Sequence, residues 1–214
     1  MKAKFISLEG GEGTGKTTQI NRLKAHLEAK GLDVVVTREP GGTHIGEAIR
    51  EIILKGDTSS MDGQTEAMLL FAARRNHVEK LIKPALAKGT WVISDRFFDS
   101  TMAYQGYAGG VGAETIKTLQ HWALGDFTPD LTLIFDIPVK IGLDRAGIRM
   151  AGDNDAEDRF ERMGIDFHQT MREAFLEIAD GDQKRCEVID ANSTIDDVDA
   201  RIWAVVKSRF DLGA

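Results

Sequence analysis

The sequence predicts an α/β fold, a five-stranded parallel sheet with helices on both faces. Three observations predict it. Short apolar runs alternate along the chain with longer stretches of helical periodicity. The runs are apolar nearly throughout, as strands covered on both faces are. A glycine-rich turn joins the first run to the first helix. Strict β-α-β-α order needs crossover connections, and these give parallel neighbours.

The elements follow in order. "KFISL" (4–8) is the first predicted strand, followed by a helix over 15–30 that stops at Gly31. "DVVVT" (33–37) is the second, with helices near 43–55 and 64–88 and a second stop at Gly89. "TWVIS" (90–94) is the third, before helices near 99–106 and 112–124. "LTLIFDI" (131–137) precedes helices near 139–146 and 157–180; "CEVID" (186–190) precedes one near 195–211. The stretch 147–158, "GIRMAGDNDAED", is small and charged and predicts a surface loop. Without internal repeats, residues 1–214 read as one domain with a short lid over about 145–160.

Apolar residues make up 42% and charged residues 29%, the mixture of an ordinary globule. The net charge of −7 argues against a nucleic-acid binder or a polybasic membrane-surface protein. No apolar run approaches the roughly 18 residues of a membrane span. The single cysteine, Cys186, excludes an internal disulfide and reads as a packed core thiol. The five histidines have no zinc-ligand spacing with it. The expected setting is a reduced cytoplasm.

The turn after the first strand reads "LEGGEGTGKTTQ". Gly10-x4-Gly15-Lys16-Thr17 fits the phosphate-binding loop G-x-x-x-x-G-K-[ST] in its required strand–helix context. Glycines let the backbone curl so that N–H groups converge on phosphate oxygens, and the helix start adds partial positive charge. Gly10, Gly11, Glu12, Gly13, Thr14, Gly15, Lys16, Thr17 and Thr18 are therefore the candidate ATP-binding residues. Lys16 supplies a full charge, and the Thr17 hydroxyl suits Mg²⁺.

Three further stretches bear on the acceptor: "TREPGGT" (37–43), "FAARRNH" (71–77) and "SDRFFDSTMAYQG" (94–106). Two of them follow predicted strands, so Arg38 and Arg96 emerge at the sheet edge that carries the phosphate loop. Asp95, at a strand end, suits Mg²⁺ directly or through water. Phe71 lies three residues before Arg74 and four before Arg75, so ring and guanidinium share a helix face that suits a nucleobase.

"LEGGEGTGKTT", "TREPGGT", "DRFFDSTMAYQG", "PDLTLIFDI" and "DRFE" together resemble bacterial thymidylate kinases, in the right order over nearly the whole chain. The resemblance implies a homodimer that transfers the γ-phosphoryl group of ATP to dTMP. It implies that Glu12 reaches the acceptor sugar and that Arg38 and Arg96 lie near the acceptor phosphate. Ser100 and Thr101 would sit at the acceptor, with Thr101 at the thymine edge and Gln105 by the sugar. Arg74 would bond the base and Phe71 would stack on it. Asp95, with Glu9 beside it, would act through Mg²⁺. Asp190 to Asn192 would lie by the adenine, and Pro40 would be cis. The phosphate loop carries no arginine, so the resemblance implies a catalytic arginine from the lid: Arg149 first, Arg145 second, with Arg159 and Arg162 in the same segment.

The chemistry needs no general base, because a monophosphate has a second pKa near 6 and is largely ionised at pH 7. The obstacle is repulsion between polyanions, about 1 kcal/mol per pair of unit charges at 4 Å in water and about 4 kcal/mol at a dielectric of 20. Lys16, Mg²⁺ and convergent arginines offset it. Two other readings stay open on these residues. One is a kinase for another nucleoside monophosphate or a deoxynucleoside. The other is a P-loop ATPase switch.

Overall fold

The structure, a computed structural model, describes residues 2–55, 61–150, 160 and 163–213, without the side chains of 55 and 148–150. Strands β1 (Phe5–Gly10), β2 (Val34–Arg38), β3 (Trp91–Asp95), β4 (Leu131–Asp136) and β5 (Cys186–Asp190) form one sheet. Its order is β2-β3-β1-β4-β5 and every pairing is parallel. The first strand is thus the central one, and all of its residues are buried.

Alternation along β1 divides its side chains between two cores. Ile6 and Leu8 pack against Leu23 and Leu27 of α1 (Lys16–Ala29) and against Val198, Ile202 and Val206 of α9 (Ile195–Phe210). Phe5 packs on the other face with Val92, Phe97, Phe71 and Ile82. Ser7 lies on the side of Phe5, with its hydroxyl 2.8 Å from that of Thr132. Burying one large apolar side chain contributes about 1.5–3 kcal/mol, so these clusters dictate the face of every β1 residue. Glu9 therefore follows Phe5 and Ser7.

Between β2 and β4 the chain forms α2 (His44–Lys55), α3 (Gly63–His77), α4 (Lys83–Ala87), α5 (Phe98–Thr101) and α6 (Ala113–Leu124). Asp62 caps α3 by accepting from the Thr65 N–H at 2.7 Å. The single helix predicted over 64–88 is one path with a π-helical turn at Val78–Ile82 between α3 and α4. Pro84, which has no N–H to give the ladder, stands just beyond that wide turn. A second π-helical stretch, Met102–Ala108, continues α5.

After β4, α7 (Val139–Met150) runs past the predicted end at 146. Residues 147–150 are thus helical rather than loop. Helix α8 (Ile165–Gly181) begins at 165 rather than 157, with Gly164 extended at its N-cap. Residues 151–159 and 161–162, most of the expected lid, lie outside the described residues. Among the described residues, no helix is long and apolar enough to cross a membrane. Cys186 is buried, as predicted.

Candidate active site

The phosphate loop joins the end of β1 to the start of α1. Gly13 and Gly15 hold φ of 66° and 86°, the left-handed region that side chains disfavour. A Cβ on Gly13 would stand 1.9 Å from the Gly142 carbonyl oxygen, so the loop meets α7 backbone to backbone. Lys16 folds over the loop. Its Nζ donates to the Gly10 carbonyl at 3.1 Å, the Gly11 carbonyl at 2.8 Å and the Thr14 hydroxyl at 3.2 Å. Burial, then the charge of Arg96, pushes its pKa down to about 8, which leaves it protonated at pH 7. Thr17 and Thr18 stand exposed on the first turn of α1.

Arg96 follows β3 with φ of 69°, unusual for a long side chain and costing about 1–3 kcal/mol. Two bonds hold it there. Its N–H donates to the Leu8 carbonyl at 2.9 Å, and the Ser94 hydroxyl donates to its carbonyl at 2.7 Å. The side chain turns back across β1. Nη1 donates to the Gly10 carbonyl at 3.0 Å and to Ser100 Oγ at 3.1 Å; Nη2 donates to Glu12 Oε1 at 2.7 Å. The guanidinium lies 5.0 Å from the centre of the Tyr104 ring, and the Tyr104 hydroxyl donates to Glu12 at 2.7 Å. Burial opposes the charge on Arg96, but Tyr104, Glu12, Asp95 and Glu9 hold its pKa above the ordinary value. The strained turn thus brings an arginine to the carbonyl that Lys16 also holds.

Asp95 pairs in register with Leu8 and so faces the α1 side of the sheet, where its charge acts on Lys16. Among the described residues its carboxylate makes no hydrogen bond. Thr17 and Asp95 are a fitting donor set for Mg²⁺, one hydroxyl and one carboxylate, with the remaining positions left to phosphate and water.

Glu9, expected beside Asp95 at the metal, is placed otherwise. It is 0% exposed, and its oxygens accept from the Phe97 N–H at 2.7 Å and the Ser100 hydroxyl at 2.5 Å. Burial, then Asp99, raises its pKa to about 8. The alternation of β1 explains this: Glu9 belongs to the face of Phe5, under α5, and braces the turn that carries Arg96.

Of the two adjacent arginines on α3, Arg74 enters the site. It is 2% exposed. Its Nε donates to Glu39 at 2.6 Å, and its Nη2 donates to the Phe97 carbonyl at 3.2 Å and the Thr101 hydroxyl at 3.0 Å. Nη1 is buried with no hydrogen-bond partner among the described residues. Its guanidinium lies 4.8 Å from the Phe71 ring centre, so the expected shared face exists. Phe71 itself is packed into the core around Phe97. Arg75 points away, bonding the Ala123 carbonyl and pairing with Glu79.

Arg38 is half exposed at the end of β2 and pairs with Glu47 at 3.1 Å. Gln105 is buried and donates to Glu66 at 2.5 Å. The Glu39–Pro40 peptide is cis, as expected. Arg145, on α7, donates to the Ala191 carbonyl at 3.4 Å, next to the Asp190–Asn192 turn. The side chain of Arg149 and the whole of Arg159 and Arg162 lie outside the described residues. Sequence reasoning gave no role to Tyr104, Glu39 or His77. All three sit inside quoted motifs, and His77 stands three residues after Arg74, on its helix face.

A lysine from the start of α1 and an arginine from just after β3, drawn to one loop carbonyl on a sheet of this order, define a P-loop fold of the nucleotide-kinase class. A family model described as thymidylate kinase matches residues 8–202, and the chain belongs to that family. It is 49% identical over 208 residues to the thymidylate kinase of Caulobacter vibrioides, covering 97% of this chain and 98% of that one. It is 49% identical over 211 residues to that of Rhodopseudomonas palustris strain TIE-1, covering 98% and 91%. The thymidylate kinase of Bradyrhizobium sp. strain BTAi1 is 47% identical over 209 residues, covering 98% and 92%.

Proposed function

We propose that this chain transfers the γ-phosphoryl group of ATP to dTMP, giving dTDP and ADP. One observation carries the reading beyond family membership. Lys16 Nζ and Arg96 Nη1 donate to the same carbonyl, that of Gly10. A donor-side cation and an acceptor-side cation thus stand within two hydrogen-bond lengths of each other. That is the spacing two facing polyanions require.

In this reading the curled backbone of residues 10–15, Lys16 and the start of α1 hold the ATP phosphates. Thr17 and Asp95 would hold Mg²⁺, which supplies charge neutralisation between the phosphates when bound. Arg96 and Arg38 take the acceptor phosphate. Glu12, held by Arg96 and by the Tyr104 hydroxyl, would reach the acceptor sugar. The free Nη1 of Arg74 supports a base-carbonyl contact, since a buried guanidinium nitrogen without a partner costs about 1–3 kcal/mol until one arrives. Thr101 lies against the same guanidinium, while Ser100 and Gln105 act as braces for Arg96 and the π-helical stretch. No residue is asked to act as base, because the acceptor oxygen is already ionised.

Arg145 and Arg149 share α7, whose backbone abuts the phosphate loop at Gly13. In this reading Arg149, with Arg145 second, is the arginine that closure of the lid brings to the phosphates. The homodimer and the cytoplasmic setting belong to the same reading. Trp122 on α6 and Met68 on α3 stand 85% and 53% exposed, apolar surface that a second copy would cover.

The test is ADP formation by purified protein with Mg-ATP and a panel of acceptors. dTMP should be turned over in strong preference to purine monophosphates and to thymidine. Faster turnover of thymidine would identify a deoxynucleoside kinase. Hydrolysis indifferent to every acceptor would identify an ATPase.

A further inference from the structure

Beside Arg74 lies a chain of buried polar groups that no step of the reaction uses. His77 is 0% exposed at the end of α3. Its Nδ1 is 2.8 Å from Glu39 Oε1, and its Nε2 is 2.7 Å from the Thr37 hydroxyl. The other oxygen of Glu39 accepts from Arg74 Nε at 2.6 Å. A carboxylate oxygen only accepts, so Nδ1 carries the proton. In the neutral ring Nε2 then accepts from Thr37. Thr37, His77, Glu39 and Arg74 form one directed line from β2 to the arginine. Gly42 lies against the same imidazole: a Cβ there would stand 2.5 Å from His77 Nε2 and 2.5 Å from Thr37 Oγ1.

We propose that His77 is a positioning residue for the acceptor. It orients the Glu39 carboxylate, and through it Arg74, while its other edge seats the Pro40–Gly42 turn that follows Arg38. The physical case rests on Glu39. A carboxylate bonded to Arg74 alone swings about χ3 and lets the guanidinium tilt. The Nδ1–H bond fixes the carboxylate plane, as an outer partner fixes a ligating side chain at a metal. A guanidinium with one free, buried nitrogen needs such a constraint, since its remaining donor meets the base only at one tilt. The line ends at the acceptor arginine and makes no contact with the phosphate loop, so its loss falls on the acceptor and spares ATP.

The inference rests on the dTMP kinase reading, and its test separates the two. Kinetics are measured for native protein, His77→Asn and His77→Phe, with KM for dTMP and for ATP determined separately. An Asn amide reaches the Nδ1 position and can still donate to Glu39; a Phe ring fills the space and donates nothing. His77→Phe should raise KM for dTMP at least tenfold and leave KM for ATP within about twofold. His77→Asn should restore dTMP KM to within about threefold of native. Combined with Arg74→Met, His77→Phe should add less than twofold to the effect of Arg74→Met alone. Unchanged dTMP KM in His77→Phe overturns the proposal. So does equal loss for both substrates, failure of Asn to rescue, or full additivity with Arg74→Met. Should His77→Phe fail to fold, His77→Gln decides, because its amide reaches the Nε2 edge instead. It should be at least threefold worse for dTMP than His77→Asn, and equality overturns the idea. If native protein turns over no dTMP, the dTMP kinase reading fails. His77 is then judged by calorimetric affinity for whichever monophosphate is turned over, with the same rescue pattern required.

Discussion

Glu9 lies one residue from the end of the central strand, and its burial makes the protein's stability depend on pH in a definite direction. Its oxygens meet the Phe97 N–H and the Ser100 hydroxyl, and among the described residues no cation pairs with it. Burial first, then Asp99, raises its pKa from 4.5 to about 8. Between those values the folded protein keeps a proton that the unfolded chain has released. Stability from this group is full below pH 4.5, falls as pH rises through the window, and is gone above pH 8. The slope reaches about 1.4 kcal/mol per pH unit for one proton. Glu9→Gln removes the titration and keeps a carbonyl for the Phe97 N–H. Urea unfolding of both proteins at pH 5, 6, 7 and 8 measures the difference. Relative to Glu9→Gln, the native protein should lose on the order of 3 kcal/mol between pH 5 and pH 8, with the same m value. Parallel stability curves would refute the reasoning and return Glu9 to an ionised role.

Other consequences concern the reaction. Lys16→Ala should lower kcat by at least about 10³-fold, judging from the electrostatic share of phosphoryl transfer, while circular dichroism stays native; near-native turnover would remove the donor assignment. Arg96→Ala should raise dTMP KM and lower kcat far more than it raises ATP KM, and it should release Glu12 and Tyr104, seen as weaker binding of dTMP by calorimetry. Arg149→Ala and Arg145→Ala should differ: one lowers kcat by about 10³-fold or more with little change in dTMP KM, and the sequence favours Arg149. Gly142→Ala places a Cβ 2.6 Å from the Glu12 carbonyl oxygen, so it should displace the phosphate loop and weaken ATP binding measured by calorimetry.

Much of this site was legible because its pieces are local. The phosphate loop is one strand–turn–helix, and its glycines and lysine are adjacent in the chain. Arg96 was legible because a strand end fixes where its successor emerges. Packing separates two residues that spacing leaves equivalent. Arg74 and Arg75 are one residue apart on α3, and only Glu39 and the core around Phe97 select the first. The burial of Glu9 under α5 follows from the strand's alternation, which Phe5 and Ser7 already display. Asp99, whose charge raises the Glu9 pKa, is held by Arg185 at 2.6 Å across 86 positions, a pairing that could not be read locally. Helix α8 began late because Gly164 sits at its N-cap, a weaker signal than the charged run before it.

The most direct measurement of the central claim follows the phosphoryl group itself. ATP labelled at the γ-phosphate is incubated with the protein, Mg²⁺ and dTMP, and the products are separated. The account predicts label in dTDP at the rate ADP appears, with almost none released as inorganic phosphate. Label released to water at a rate indifferent to dTMP would contradict it.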